Sequence, residues 1–234
     1  MSVAPVRRFQ VAVNAEAQAL AWARQEAAPA GAVVIVDHEI SPRGRLGRLW
    51  SSPQDQTAVI AMVWRPLLGA DRAGLVWVAA SLGLLEAACG VDADKPYGLW
   101  WPDAIVDASL RRIGEVKAEV QLGPGQVTSA VVTARLDLAG LGEDGRLLGL
   151  DNLVAGMASG AEQLSDDTER LRASYARACT LTGRRAIARL LPRGATRGTV
   201  RGVDTYGRLE LVSATGLVEP VSIDSLDRID LSDT

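Results

Sequence analysis

Histidine and cysteine are nearly absent from this 234-residue chain: one histidine, His38, and two cysteines, Cys89 and Cys179. So few ligands, at no metal-binding spacing, exclude a zinc centre of the Cys/His kind. Two cysteines in helical-looking segments make no disulfide framework, and buried free thiols are expected. His38 ends a strand signal with no partner in view, so a polar strand-end residue is expected rather than a base. An excess of either charge is lacking too. A formal net charge of −3 gives no reason to expect nucleic acid as a partner. The longest apolar stretch, Ala73 to Cys89, is interrupted by glycines and falls short of a membrane span. No secretory signal pattern opens the sequence, so a cytoplasmic protein is expected. At 48% hydrophobic residues the chain is not a disordered one. Its length suits a main domain with a small appendage.

What the chain does have is the run Arg43-Gly44-Arg45-Leu46-Gly47-Arg48-Leu49-Trp50. Arginines offer planar forks that bind phosphate or carboxylate in pairs of hydrogen bonds. Glycines let the backbone curl close to a ligand. A tryptophan supplies a face on which an adenine can stack. The run reads either as a loop wrapping an anionic nucleotide or as a basic, solvated surface turn. It follows a buried-strand signal, 32–37, and precedes a second, Thr57 to Trp64, that ends in Arg65-Pro66.

The rest of the pattern alternates helices and strands. Alanine-rich helical spacing covers Asn14 to Gln25, and a long buried helix is expected from Asp71 to Cys89, closed by Gly90. Strands at Glu115 to Leu122 and Val127 to Leu138 flank Gly123-Pro124-Gly125-Gln126, a hairpin turn. Gly140 to Gly149 reads as a glycine-rich loop. Asp151 to Thr182 reads as helix, broken near Ser165-Asp166-Asp167 where a serine is placed to cap a second helix. Beyond Gly183 come four short strands, 184–191, 198–203, 208–213 and 218–223, suggesting a small SH3-like barrel. The fold class expected is α+β: a mixed sheet covered by helices over 1–182, then a small β-barrel over 183–234.

The order of these signals resembles the biotin protein ligases. In that family a Gly-Arg-Gly-Arg-x-Gly-Arg-x-Trp loop precedes a strand ending in Arg-Pro. Trp101-Pro102-Asp103 resembles the family's Lys-Trp-Pro-Asn-Asp. Arg112-Ile113-Gly114 followed by Glu119 resembles its Lys-Leu-x-Gly-x-x-x-Glu, and Gly202-Val203-Asp204-x-x-Gly207-x-Leu209 its C-terminal barrel. The resemblance implies a two-step reaction: biotin and ATP, with Mg²⁺, give biotinyl-AMP, and a lysine of a carboxyl carrier domain then takes the acyl group. It implies that Arg43, Gly44, Arg45, Gly47 and Arg48 wrap the adenylate, that Trp50 stacks on adenine, and that Arg43 and Arg112 supply the positive charge catalysis needs. It extends the ligand site to Asn14, Glu39, Trp100 and Asp103. It also implies a homodimer joined through sheet edges, and Val127 to Val132 is expected to be an apolar edge in need of cover. No room is seen for the DNA-binding domain that precedes the catalytic domain in the repressor members.

The departures fall in the implied site. Pro42 replaces the loop's first glycine, Trp100 and Arg112 replace two lysines, and Asp103 and Ala104 replace Asn-Asp. Val13 removes a hydroxyl, Glu39 replaces a glutamine, and Thr133, Arg135 and Asp137 stand on the strand where the family has Gly-x-Gly-x-Asn. Lys117 lies an odd number of residues beyond Arg112, so in a regular strand it is expected on the opposite face. The expectation is a divergent ligase-like protein, impaired or inactive in biotinyl-AMP formation, that binds a nucleotide, an adenylate or another small acid. The alternative is an active biotin–carrier ligase.

Overall fold

A computed structural model describes residues 4–50, 52–139 and 141–232. Its centre is a seven-stranded mixed sheet in the order β1-β2-β3-β7-β6-β5-β4. Strands β1 (Val6–Ala12) and β2 (Val33–Glu39) run parallel, joined through helix α1 (Ala15–Gln25). The others pair antiparallel: β3 (Thr57–Trp64), β4 (Gly98–Trp100), β5 (Ala104–Val106), β6 (Arg112–Gly123) and β7 (Gln126–Asp137). Side chains alternate between the two faces of a strand, and β7 shows what that division means here. Ala130, Val132, Ala134 and Leu136 join the main core beneath the helices α2 (Leu75–Val91) and α3 (Gly142–Asp166). Val131, Thr133 and Arg135 point the other way, where α1 covers a smaller core.

Helix α2 is apolar nearly all round because it is buried between the sheet and α3. The two helices cross at Gly83 and Gly156. A Cβ at Gly83 would stand 2.3 Å from the Gly156 carbonyl oxygen, so only glycine allows this approach. The helix starts four residues later than expected and runs through Gly90 rather than stopping there. The expected loop over 140–149 is, from Gly142 onward, the first turns of α3. Leu150, Leu153 and Met157 fall at helical spacing on its buried side, and that burial overrides the glycines. The break before α4 (Thr168–Ala178) falls where it was expected, but its cap is Asp167. The Asp167 Oδ1 accepts from the N–H groups of Glu169 and Arg170 at 2.9 and 3.0 Å. Ser165 instead donates to the Ala161 carbonyl.

The strand over 127–132 is no edge. It lies inside β7, paired with β6 along its length and with β3 from Ala130 onward, while the Val127 N–H donates to the Leu68 carbonyl. With no bare apolar edge there, this strand does not call for a second copy to cover it. Cys179 is buried as expected, whereas Cys89 is exposed; both are free thiols.

The C-terminal unit is a five-stranded antiparallel sheet, ordered β11-β10-β9-β8-β12. It is built from β8 (Arg185–Leu190), β9 (Ala195–Val203), β10 (Leu209–Val212), β11 (Val218–Val221) and β12 (Leu226–Leu231). The last strand went unpredicted because its sequence, Leu-Asp-Arg-Ile-Asp-Leu, is half charged. It buries Leu226 and Ile229 and pairs with β8. The turn after β9 is tied by Asp204, whose Oδ1 accepts from the N–H groups of Tyr206 and Arg208. This turn seats the barrel on the start of α2. A Cβ at Gly207 would stand 2.4 Å from the Gly74 carbonyl carbon. No helix among the described residues is long and apolar enough to cross a membrane.

Candidate functional site

The face of the sheet beneath α1 carries a chain of buried charges. It begins at Glu39, the last residue of β2, which is 3% exposed. Its Oε1 accepts the Ala15 N–H at 2.7 Å, at the start of α1. Arg135, from β7 and 1% exposed, donates Nε to Glu39 Oε2 at 3.0 Å and Nη2 to Oε1 at 3.1 Å. The Arg135 Nη1 donates at 3.3 Å to Oε1 of Glu115, its register partner on β6, and at 3.4 Å to the Arg43 carbonyl. Glu115 Oε2 accepts from Arg112 Nη1 at 3.2 Å, and Arg112 Nη2 donates to Asp103 Oδ1 at 3.1 Å. The chain closes on Arg45, whose Nε lies 3.4 Å from Asp103 Oδ2.

Three guanidiniums and three carboxylates thus alternate and cancel in formal charge. All but Arg112 are buried. Burial pushes the Glu115 carboxyl above the ordinary glutamate value, against the pull of Arg135 and Arg112. Burial likewise depresses the Arg45 guanidinium, with Asp103 opposing it. Beside the chain, Lys117 donates to both Glu16 oxygens at 2.9 and 2.8 Å and lies 3.2 Å from Glu119. Burial raises the Glu16 carboxyl more than Lys117 lowers it.

Lys117 therefore stands on the same face as Glu115, not on the face away from the site. The inference from an odd spacing failed because β6 is irregular at its start. Its pairing with β5 shifts register between Ile105 and Val106, and Arg112 turns toward Glu115. Thr133 Oγ1, on the same face, is buried without a hydrogen-bond partner.

The arginine run forms an ordered, self-paired turn. Arg43 bridges Leu49, and the Gly44 N–H donates to the Arg48 carbonyl at 2.8 Å. Gly44 is required by close approach rather than by flexibility, since a Cβ there would stand 2.5 Å from both Glu115 carboxylate oxygens. Gly47 takes a left-handed φ of 71° at the tip, after Leu46 at 58°. The three arginines part company. Arg43 is exposed and donates to the Gly47 carbonyl at 2.9 Å and to Ser41 Oγ at 3.0 Å. Arg45 turns inward and spends its remaining donors on the carbonyls of Leu226 and Asp227 in the barrel, at 2.6 and 2.8 Å. Arg48, half exposed, donates to Asp227 Oδ1 at 2.7 Å.

Trp50 is partly buried and anchors the loop to β3 by donating Nε1 to Thr57 Oγ1 at 3.1 Å. Asn14 caps α1, accepting the Ala17 N–H at 2.7 Å, and its Nδ2 reaches the Ser41 carbonyl. Trp100 packs partly buried against the main core, and no hydrogen bond or ion pair links it to the charge chain among the described residues. His38 is exposed on β2, and its imidazole makes no hydrogen bond among the described residues. A cavity of about 120 Å³ lies beside Asp137, walled by Tyr97, Arg111, Ile113 and Leu136. Ligand pockets for drug-sized molecules usually exceed roughly 300 Å³. The site as folded therefore brings together Glu39, Arg43, Gly44, Arg45, Asp103 and Arg112, and leaves Trp100 apart. It adds Arg135, Glu115 and Asp227. In the sequence Arg135 stands out only as a lost glycine, Glu115 lies inside an ordinary strand pattern, and nothing singles out Asp227.

No family model matches the chain. In sequence it is similar to the bifunctional ligase/repressor BirA of Bacillus spizizenii, 25% identical over 108 residues, and to that of Bacillus subtilis, 24% identical over the same length. Each match takes in 45% of this chain, and the chain spans only 32% of those relatives' length. In structure it is similar to the biotin protein ligase of Aquifex aeolicus in complex with biotin and ATP. The TM-score is 0.76 at 14% identity, covering 97% of this chain and 99% of that one. A biotin protein ligase-like protein of unknown function from Silicibacter gives 0.69 at 16% identity, covering 94% of each chain. The chain has the biotin protein ligase fold: a mixed sheet with helices, followed by the small antiparallel β domain.

Proposed function

We propose that this chain is a divergent member of the biotin protein ligase group, impaired or inactive in forming biotinyl-AMP, whose arginine turn binds a phosphate- or carboxylate-bearing small molecule. The observation that carries the reading is the Arg135–Glu39 pair. Where the resemblance implies glycines, a buried guanidinium stands on β7 and grips the carboxylate that replaces the family's glutamine. These residues do not fit biotin as the resemblance would hold it. Thr133 and Arg135 fill the floor, and Glu39 has both oxygens engaged.

Anion binding rests on the outer cations. Arg43 and Arg48 are the exposed members of the turn, and Trp50 stands next to them. Guanidinium forks of this kind suit phosphate and carboxylate.

The test is calorimetry with ATP, biotin and a non-hydrolysable biotinyl-AMP analogue, alongside biotin-dependent exchange of pyrophosphate into ATP. The expected outcome is binding of ATP or the analogue without measurable exchange. Robust exchange would make the protein a working ligase, able to pass its acyl group to a carrier domain. No binding of any of the three would sink the anion-site reading.

A further inference from the structure

The barrel presents an anion of its own to the arginine turn. Asp227, at the start of β12, accepts from Arg48 Nη2 through Oδ1 at 2.7 Å and through its carbonyl at 3.1 Å. The same carbonyl and that of Leu226 accept from Arg45. Leu226 is fully buried in the barrel core and its N–H donates to the Ile223 carbonyl, so these acceptors are held rigidly. The largely exposed Arg228 also donates to the Asp227 carboxylate, from Nη1 at 3.1 Å.

The two arginines differ in how readily they can be taken. The Arg45 side chain is 7% exposed and satisfied by three acceptors across both domains. Breaking it open would leave a buried charge unpaired, which is costly. The Arg48 side chain is 45% exposed, and exposed ion pairs are weak and exchange readily for a stronger anion. Arg45 is thus a fixed hinge between the domains, and Arg48 a replaceable contact.

The geometry points to Asp227 as a built-in competitor for the ligand site: its carboxylate occupies Arg48 until a more highly charged, phosphate-bearing ligand displaces it. Arg45 keeps the barrel seated while that exchange takes place. This rests on the anion-binding reading given under Proposed function. Its chemistry is that of a ligand whose charge exceeds the single charge of a carboxylate, such as a nucleoside polyphosphate.

The experiment compares ATP binding by calorimetry in the wild type, Asp227→Asn, and Asp227→Asn with Arg48→Ala, all at low ionic strength. Removing the competitor is expected to tighten ATP binding about three-fold, in keeping with the strength of an exposed pair, and the added Arg48→Ala is expected to abolish that gain. Amide hydrogen exchange in Asp227→Ala is expected to quicken at Gly47 and Arg48, whose N–H groups bond within the turn. ATP binding of equal strength in wild type and Asp227→Asn would overturn the competitor role and leave the anion site standing. Binding by neither would overturn both. Unchanged exchange at Gly47 and Arg48 would count against Asp227 holding the turn, whatever ATP does.

Discussion

Arg135 and Glu39 meet fork to fork, at 3.0 and 3.1 Å, with both side chains almost wholly out of water. The contact reaches across the sheet from β7 to the end of β2, past β3. It ties β7 to the strand that leads into the arginine turn.

Because the pair is buried, removing one partner leaves the other charged and unmatched. Arg135→Gly is expected to cost about 3–5 kcal/mol of folding stability. The double change Arg135→Gly with Glu39→Gln removes the stranded carboxylate, and a substantial part of that loss is expected to return. Urea denaturation of the wild type, Arg135→Gly, Glu39→Gln and the double variant reads this as a coupling energy. Additive losses would show that the two side chains do not act as a pair.

Gly44 lies against Glu115, and its lack of a side chain is what permits the turn to sit there. Gly44→Ala is expected to destabilise by about 1–3 kcal/mol, the usual range for forced overpacking. Shortening the neighbour with Glu115→Asp is expected to recover some of that cost in the double variant. A fully tolerated Gly44→Ala, judged by an unchanged melting temperature, would mean the turn does not approach Glu115 this closely.

The scaffold was legible in the sequence and the site only partly so. Apolar alternation and glycine turns marked the β6–β7 hairpin within a few residues. The buried α2 was visible as an apolar run, though not its passage through Gly90, where a Cβ would stand 2.0 Å from Asn152 Oδ1. The arginine run was legible as a turn near anions. What it could not reveal is that Arg45 faces inward, because that depends on carbonyls 181 and 182 residues away in the barrel. Arg135 was hidden for a similar reason. A lone arginine in an apolar strand becomes meaningful only when Glu39 and Glu115 are seen to converge on it.

The division of labour among the arginines gives a third expectation. Arg43→Ala removes an exposed side chain, so stability is expected to change by no more than about 0.5 kcal/mol. Its loss is expected to weaken ATP or adenylate-analogue binding by roughly 1.5–3 kcal/mol. Arg45→Ala is expected to do the reverse, costing about 3 kcal/mol of stability by unpairing buried acceptors. Calorimetry and thermal melting together separate the two. A large stability loss from Arg43→Ala would contradict its exposed placement.

The pH dependence of stability carries the last expectation, and Glu115 sets its sign. Asp37, held chiefly by its hydrogen bond from Arg8, lies below its ordinary value. Such a group stabilises the fold above the ordinary aspartate value and loses that contribution as pH falls through its folded value. Glu115 behaves oppositely. Burial raises its carboxyl, so the folded state binds its proton more readily than the unfolded chain does. Its favourable contribution is fully present below the ordinary glutamate value and is lost as pH rises through the raised one. Glu115→Gln fixes the side chain in a neutral form and removes this contribution, while Asp37 and the other carboxylates remain common to both proteins. Wild type is therefore expected to gain stability relative to Glu115→Gln on going from about pH 7 to about pH 5, by urea denaturation at each pH. A difference that is flat with pH, or that moves the other way, would mean that Arg135 and Arg112 outweigh burial at this carboxyl.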